Sequence, residues 1–187
     1  MLTRGKLTGD QYAFLTQAAL AAQHARSYAW SSHGKQILAS VTVAQAIRET
    51  GWGRHTAGAN NYFGLKAGKS WIGLRVLRRT WEILRGRRVE VTAAFRAYKT
   101  MDESFRDYAR HLCTSPYYRK AVNLLNAGKA DDTVLWADRE GAMHTAPRWE
   151  GYARLVGGTW ATDPAYGDAI CELIRGLVLR GFDQPLA

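Results

Sequence analysis

The spacing of apolar residues changes period along the chain, and those changes divide it into elements. Residues 10–29 carry Phe14, Ala18, Ala21 and Ala25 at helical intervals, the Ala-rich face of a first helix. Ser31 or Ser32 offers an N-cap for a second helix running to about Thr50. There Ile37, Leu38, Val41, Val43, Ala44, Ala46 and Ile47 leave little polar face, which predicts a central, buried helix ended by Gly51 and Gly53. The period then drops to two. Over residues 74–84, Leu77, Trp81 and Ile83 alternate with Arg78, Thr80 and Glu82. Over 89–98, Val89, Val91, Ala93, Phe95 and Ala97 alternate with Glu90, Thr92, Arg96 and Tyr98. Together these runs predict a β-hairpin turning at residues 85–88, with one apolar face.

Helical spacing returns at Thr100, which with Glu103 forms a capping box for a helix reaching about Cys113. Pro116 interrupts it, and residues 117–125 resume helix. Residues 126–148 are irregular. Gly128, Pro147 and the acidic cluster Asp131, Asp132, Asp138 and Glu140 read as a loop with one short helix around Val134 to Ala137. Further helices are predicted at 149–156 and 165–180, the last with a stripe of Ile170, Leu173, Ile174, Leu177 and Val178. The expected fold class is α+β, mostly α: one domain over 1–187, core about 10–180, with a hairpin inserted between helices.

Composition narrows the function. A chain of 187 residues with 47% apolar and 22% charged residues can bury a substantial core. No stretch approaches the roughly 18 apolar residues of a membrane span, so no membrane insertion is expected. Gln17, Gln23, His24 and Arg26 break the first helical pattern, so no secretory signal is read there. The net charge of +10 implies an acidic partner: nucleic acid, an anionic membrane surface or a bacterial wall polymer. Basic residues gather around the hairpin (Lys66, Lys69, Arg75, Arg78, Arg79, Arg85, Arg87, Arg88), but on both its sides and without a nucleic-acid motif, so no nucleic-acid partner is expected. Two cysteines make no disulfide framework, and Cys113, on the stripe Phe105, Tyr108, Ala109 and Leu112, reads as a buried free thiol. The five histidines lack zinc-site spacing, so neither metal nor cofactor is expected.

The candidate chemistry centres on Glu49. A carboxylate at a helix C-terminus faces the negative end of the helix dipole, and burial beside Trp52 disfavours its charge further. Both effects raise its pKa and suit it to protonate a glycosidic oxygen. The competing use is an ion pair with Arg48 or Arg54 on a solvated helix end. Glu82, beside Arg78 and Thr80, is the second carboxylate that glycoside hydrolysis commonly employs, or else a cross-strand partner of hairpin arginines. Trp52, Asn60, Asn61, Tyr62 and Phe63 mix stacking surfaces with amides, as a sugar groove does. Trp160 and Tyr166 offer a second wall, and core packing is the other use of such aromatics.

Four strings in series carry a resemblance: "VAQAIRETGWGRH" followed by "NNYFGLKA", "SWIGLRVLRRTWEI", "FRAYKTMDESFRDYARHL" and "GGTWATDPAYGDAI". Together they resemble the signature of glycoside hydrolase family 73 over most of residues 37–174. The resemblance implies a lysozyme-like α+β fold and an endo-β-N-acetylglucosaminidase acting on peptidoglycan glycan strands. It assigns Glu49 as catalytic acid and Glu82 as second carboxylate, and the expected substrate-binding residues are Trp52, Asn61, Phe63, Tyr98, Trp160 and Tyr166. Trp160 stands where the family has a tyrosine. It keeps a stacking surface but no phenol, whose role would pass to Tyr166, to Tyr152 or to nothing. Residues 126–148 look longer than the family's usual connection.

Related readings are a lysozyme-type muramidase, a lytic transglycosylase, or a non-catalytic wall-binding module, against which the presence of both carboxylates speaks. The expected protein is a monomer acting in the periplasm or cell wall, delivered by phage lysis or a secretion apparatus. An immunity protein would be its partner in the second case.

Overall fold

A computed structural model of the chain describes residues 7–84 and 86–184, with residues 82–84 described by backbone alone. The elements run α1 Gly9–His33, α2 Ala39–Thr50, β1 Arg75–Leu84, β2 Arg87–Arg96, α3 Met101–Thr114 and α4 Arg119–Asn126. They continue with β3 Thr133–Ala137, β4 Met143–Pro147, α5 Arg148–Trp160 and α6 Tyr166–Gly176. Short 3-10 segments lie at Pro116–Tyr118 and Leu179–Asp183. No helix among the described residues is long and apolar enough to cross a membrane.

Helix α2 is the central one, as its composition predicts: every residue from Ala39 to Ile47 is buried. Its start differs from the expectation. Ser31 and Ser32 belong to the last turn of α1, which ends on Gly34 at φ 60°. The N-cap of α2 is Leu38, whose side chain caps nothing. Asp183 does the capping from the 3-10 segment near the end of the chain: Ser40 donates from its backbone N–H (2.8 Å) and its hydroxyl (2.6 Å) to that carboxylate. A remote carboxyl thus satisfies one of the orphan donors of the helix N-terminus. Against α2 pack α1, α6 and the 3-10 segment Leu179–Asp183, while α3 packs chiefly on α1; Ala18, Ala22, Ala25 and Ala29 of α1 and Phe105, Tyr108 and Leu112 of α3 are buried in the same core. Thr100 caps α3 by accepting from the Glu103 N–H, while the Glu103 carboxylate accepts from the Lys99 N–H.

The first hairpin forms where predicted, but its register overturns the expectation of one apolar face. Leu84 pairs with Arg87, leaving a two-residue connection that includes Gly86 at φ 75°. That register sets Leu77 opposite Ala94 and Trp81 opposite Glu90, and sets Val76 opposite Phe95 and Thr80 opposite Val91. The apolar sides of the two strands therefore lie on opposite faces of the ribbon. The face carrying Phe95 roots the hairpin in the body, and the face carrying Leu77 and Trp81 is exposed.

The short helix expected at 134–137 is instead β3, paired with β4 in a second antiparallel hairpin. Its burial alternates in strand fashion, with Trp136 buried between exposed Leu135 and half-buried Ala137. Trp136 stacks on His144 at 4.7 Å and closes over α5 at Gly151. The last predicted helix is likewise shorter than 165–180, since α6 stops at Gly176. Both cysteines are free and buried, and burial pushes both thiols up, that of Cys171 to about 11.

Helices α5 and α6 touch at glycines. A Cβ on Gly157 would fall 2.7 Å from the Cα of Gly167, a backbone atom that only a shift of α6 can move. Gly157→Ala is expected to lower stability by about 1–3 kcal/mol, the usual cost of overpacking, measured by urea denaturation.

Candidate active site

Three helix ends meet at the candidate site. Glu49 lies in the last turn of α2, Trp160 is the last residue of α5, and Tyr166 is the first of α6. Glu49 stays open to solvent on one side, while its Oε1 accepts a 2.5 Å hydrogen bond from the Tyr166 hydroxyl. That hydroxyl accepts in turn from Gln45 Nε2 at 3.5 Å, and Gln45 Oε1 accepts from the Tyr108 hydroxyl. Gln45 and Tyr108 are wholly buried, so the acid rests on a polar chain running into the core.

Desolvation raises the pKa of Glu49, against the opposing effects of hydrogen bonds from Tyr166 and Trp160 and of the Arg48 charge. The net shift is upward, in the direction anticipated for a proton donor. The competing ion pair does not form. Arg48 pairs with Asp163 at 3.6 Å and lies 5.1 Å over the Tyr166 ring, and Arg54 donates to the Gly51 carbonyl at 2.8 Å. Burial, together with the neighbouring Glu49, pushes the Tyr166 phenol far above its ordinary range, which keeps it a hydrogen-bond donor.

Trp160 is half-buried and sits among rings: Tyr108 at 5.5 Å, with Phe63, His111 and Tyr118 at 6.3–6.4 Å. Of the two phenols named as stand-ins for the one it lacks, Tyr166 bonds Glu49 and Tyr152 is sealed in the core. Trp52 takes the left-handed conformation (φ 67°) just past α2 and sets its edge against Phe14. The adjoining turn is fixed by Gly53, at φ 77°, whose N–H donates to Thr50 Oγ1 at 2.7 Å. An apolar hollow of about 770 Å³ between α2 and α6 takes in Trp52, Ile47, Leu173 and Leu177 but not Glu49.

Three residues expected at the substrate are scaffold here. Phe63 is 1% exposed and stacks on Tyr108 at 4.1 Å. Asn61 spends both ends of its amide on the chain: it donates to the carbonyls of Leu65 and Arg96 and accepts from the Leu65 N–H. Tyr98 is buried, with its hydroxyl donating to Asp107 at 2.7 Å. Loop carbonyls need buried donors, and the Asn61 amide supplies them. Glu82 pairs through its backbone with Val89 near the hairpin tip, and its side chain lies outside the described residues. The sequence shows Tyr108 only as part of an apolar stripe and does not single out Gln45. The available signal was a lone large amide on a buried helix, four residues before Glu49 and so on the same face.

A helix-end acid with a raised pKa, held by a tyrosine where three helices of a lysozyme-like α+β fold converge, defines the class: a glycoside hydrolase domain. The chain belongs to the glucosaminidase family, whose description is mannosyl-glycoprotein endo-beta-N-acetylglucosaminidase and whose model matches residues 22–179. It is 34% identical over 139 residues to the peptidoglycan hydrolase FlgJ of Vibrio cholerae, covering 72% of this chain and 36% of that protein. It is 33% identical over 150 residues to the exo-glucosaminidase LytG of Bacillus subtilis, covering 79% and 47%. The chain thus spans less than half the length of these relatives. The catalytic domain of the autolysin Auto from Listeria monocytogenes superposes with a TM-score of 0.68 at 25% identity, covering 96% of this chain and 90% of that one.

Proposed function

We propose that the domain hydrolyses peptidoglycan at the β-1,4 bond between N-acetylglucosamine and N-acetylmuramic acid, with Glu49 as the acid. The Tyr166–Glu49 hydrogen bond beneath a carboxyl of raised pKa carries this reading. The names of the relatives, peptidoglycan hydrolase and exo-glucosaminidase, agree with it. Glu49 gives its proton to the glycosidic oxygen as the bond breaks, and Tyr166 steadies the carboxylate left behind. Trp160 presents the ring on which a sugar face rests. Glu82, on a hairpin that stands clear of the helices, is the second carboxylate, activating water or orienting the substrate's N-acetyl group.

Digestion of purified peptidoglycan, followed by borohydride reduction and mass spectrometry of the ends, tests this. Reduced N-acetylglucosamine ends, slower to appear with Glu82→Gln, are expected. Reduced muramic acid or anhydro ends would move the enzyme to the muramidase or transglycosylase class.

The pH profile offers a second check. The Tyr166 bond favours the ionised acid, so Tyr166→Phe should raise the Glu49 pKa further. The alkaline limb of kcat/KM is therefore expected to move to higher pH in Tyr166→Phe, even as kcat falls. A limb that moves to lower pH would remove Tyr166 from this role.

A further inference from the structure

The exposed face of the first hairpin has no place in that chemistry. Its register sets Arg75, Leu77, Arg79 and Trp81 of β1 beside Arg88, Glu90, Thr92 and Ala94 of β2. The other face is the one that roots the hairpin. There Phe95 is buried, and Val76 lies so close to Gly58 that a Cβ on that glycine would come within 2.9 Å of it.

On the outer face Leu77 is 70% and Trp81 55% exposed; Leu74 (60%) and Ile72 (99%), which precede β1, are exposed as well. The Arg88 guanidinium lies 4.7 Å over the Trp81 ring. Single exposed apolar residues are ordinary, but a leucine and a tryptophan four residues apart on one face of a strand, interleaved with arginines, form a combined apolar and basic surface. Arg96, opposite Arg75 on the same face, is held by Asp107, which leaves Arg75, Arg79 and Arg88 against the single carboxylate of Glu90. A soluble polyanion would need only the arginines, and an apolar protein partner would need only the leucines and tryptophan. Tryptophan and leucine interleaved with arginine match the boundary between lipid headgroups and acyl chains.

We infer that this outer face docks on an anionic phospholipid surface, with Leu77 and Trp81 entering the headgroup boundary and Arg75, Arg79 and Arg88 meeting lipid phosphates. The body of the domain stays outside the bilayer. The inference stands independently of the glycosidic reading, since it uses none of the residues that hold Glu49.

Co-sedimentation of the full chain with vesicles tests it, using phosphatidylcholine alone and phosphatidylcholine with phosphatidylglycerol. Partitioning is expected only with phosphatidylglycerol present. The Leu77→Ser/Trp81→Ser double variant should partition roughly ten- to a hundredfold more weakly, the scale of two side chains partly withdrawn from water. Arg79→Gln/Arg88→Gln should partition roughly ten- to thirtyfold more weakly. Both pairs are exposed, so circular dichroism and thermal midpoint should match wild type. Equal partitioning of wild type and Leu77→Ser/Trp81→Ser would reduce the face to a contact for polyanions such as wall polymer or nucleic acid, and would overturn the inference. So would failure of the wild type to sediment with phosphatidylglycerol vesicles.

Discussion

Glu49→Gln is expected to lower the rate of peptidoglycan cleavage by about 10²–10⁴-fold, the range a positioned general acid contributes, without loss of stability. The amide keeps an oxygen to accept from Tyr166 but has no proton of suitable acidity to give. The stability half of the result follows from linkage. A carboxyl whose pKa is higher in the folded than in the unfolded chain favours folding when protonated and disfavours it once ionised, so its contribution falls as pH rises through the folded value. At neutral pH a permanently neutral isostere should therefore melt at the same temperature as wild type or slightly higher. Cleavage assays and thermal melts on one preparation check both halves, and an active Glu49→Gln variant would remove this residue from the acid's role.

Asp107→Asn should be the most destabilising of the substitutions considered, by about 3–5 kcal/mol, the cost of breaking a buried ion pair from one side. The Asp107 side chain is 9% exposed and accepts from Arg96 (2.5 Å), Tyr98 (2.7 Å) and Arg110 (2.6 and 3.0 Å). Asn would leave the Arg96 guanidinium, itself 15% exposed, without its counter-charge. Burial alone would raise the Asp107 pKa, but the hydrogen bonds from Tyr98, Arg96 and Arg110 outweigh it and hold the carboxyl below the ordinary aspartate range. The sign is then opposite to that of Glu49: the stabilisation is present above the unfolded pKa and is lost as pH falls through the folded one. Urea titrations from neutral to acid pH should show the wild type losing stability steeply and Asp107→Asn losing less. Arg96 ends β2, so the same substitution loosens the base on which the first hairpin stands.

The features that sequence made plain are those with a local cause. The apolar run of α2, the glycine that ends it and the acid just before that glycine sit within a dozen residues, so periodicity alone places Glu49 at a helix end. Tyr166 and Trp160 came into view as aromatics near a turn, but only the crossing of α5 and α6 at Gly157 and Gly167 puts the phenol of one beside the acid. Alternation within each strand of the first hairpin is local, whereas pairing between them depends on the connection. Leu84 opposite Arg87 decides which faces match, and no count of alternating residues contains that. The second hairpin was hidden for a related reason. Its five-residue strands are short, and its turn is held by Asp138, whose carboxylate accepts from the Ala142 N–H and pairs with His144. Asn61 and Tyr98 look the same in sequence whether they serve a sugar or, as here, a loop carbonyl and a buried carboxylate.

The chain of groups beneath Glu49 has a direction. The Tyr108 phenol gives its hydrogen to the Gln45 oxygen, so the Gln45 nitrogen faces Tyr166 as donor, and the Tyr166 hydrogen is left to point at Glu49. An amide can hold that order because its two ends differ. A carboxylate at position 45, the same size but acceptor at both ends, would compete with Glu49 for the Tyr166 hydrogen and add a second negative charge one helical turn below. The asymmetry of a single buried glutamine thus dictates which way every hydrogen in the chain points, and it does so without touching a substrate.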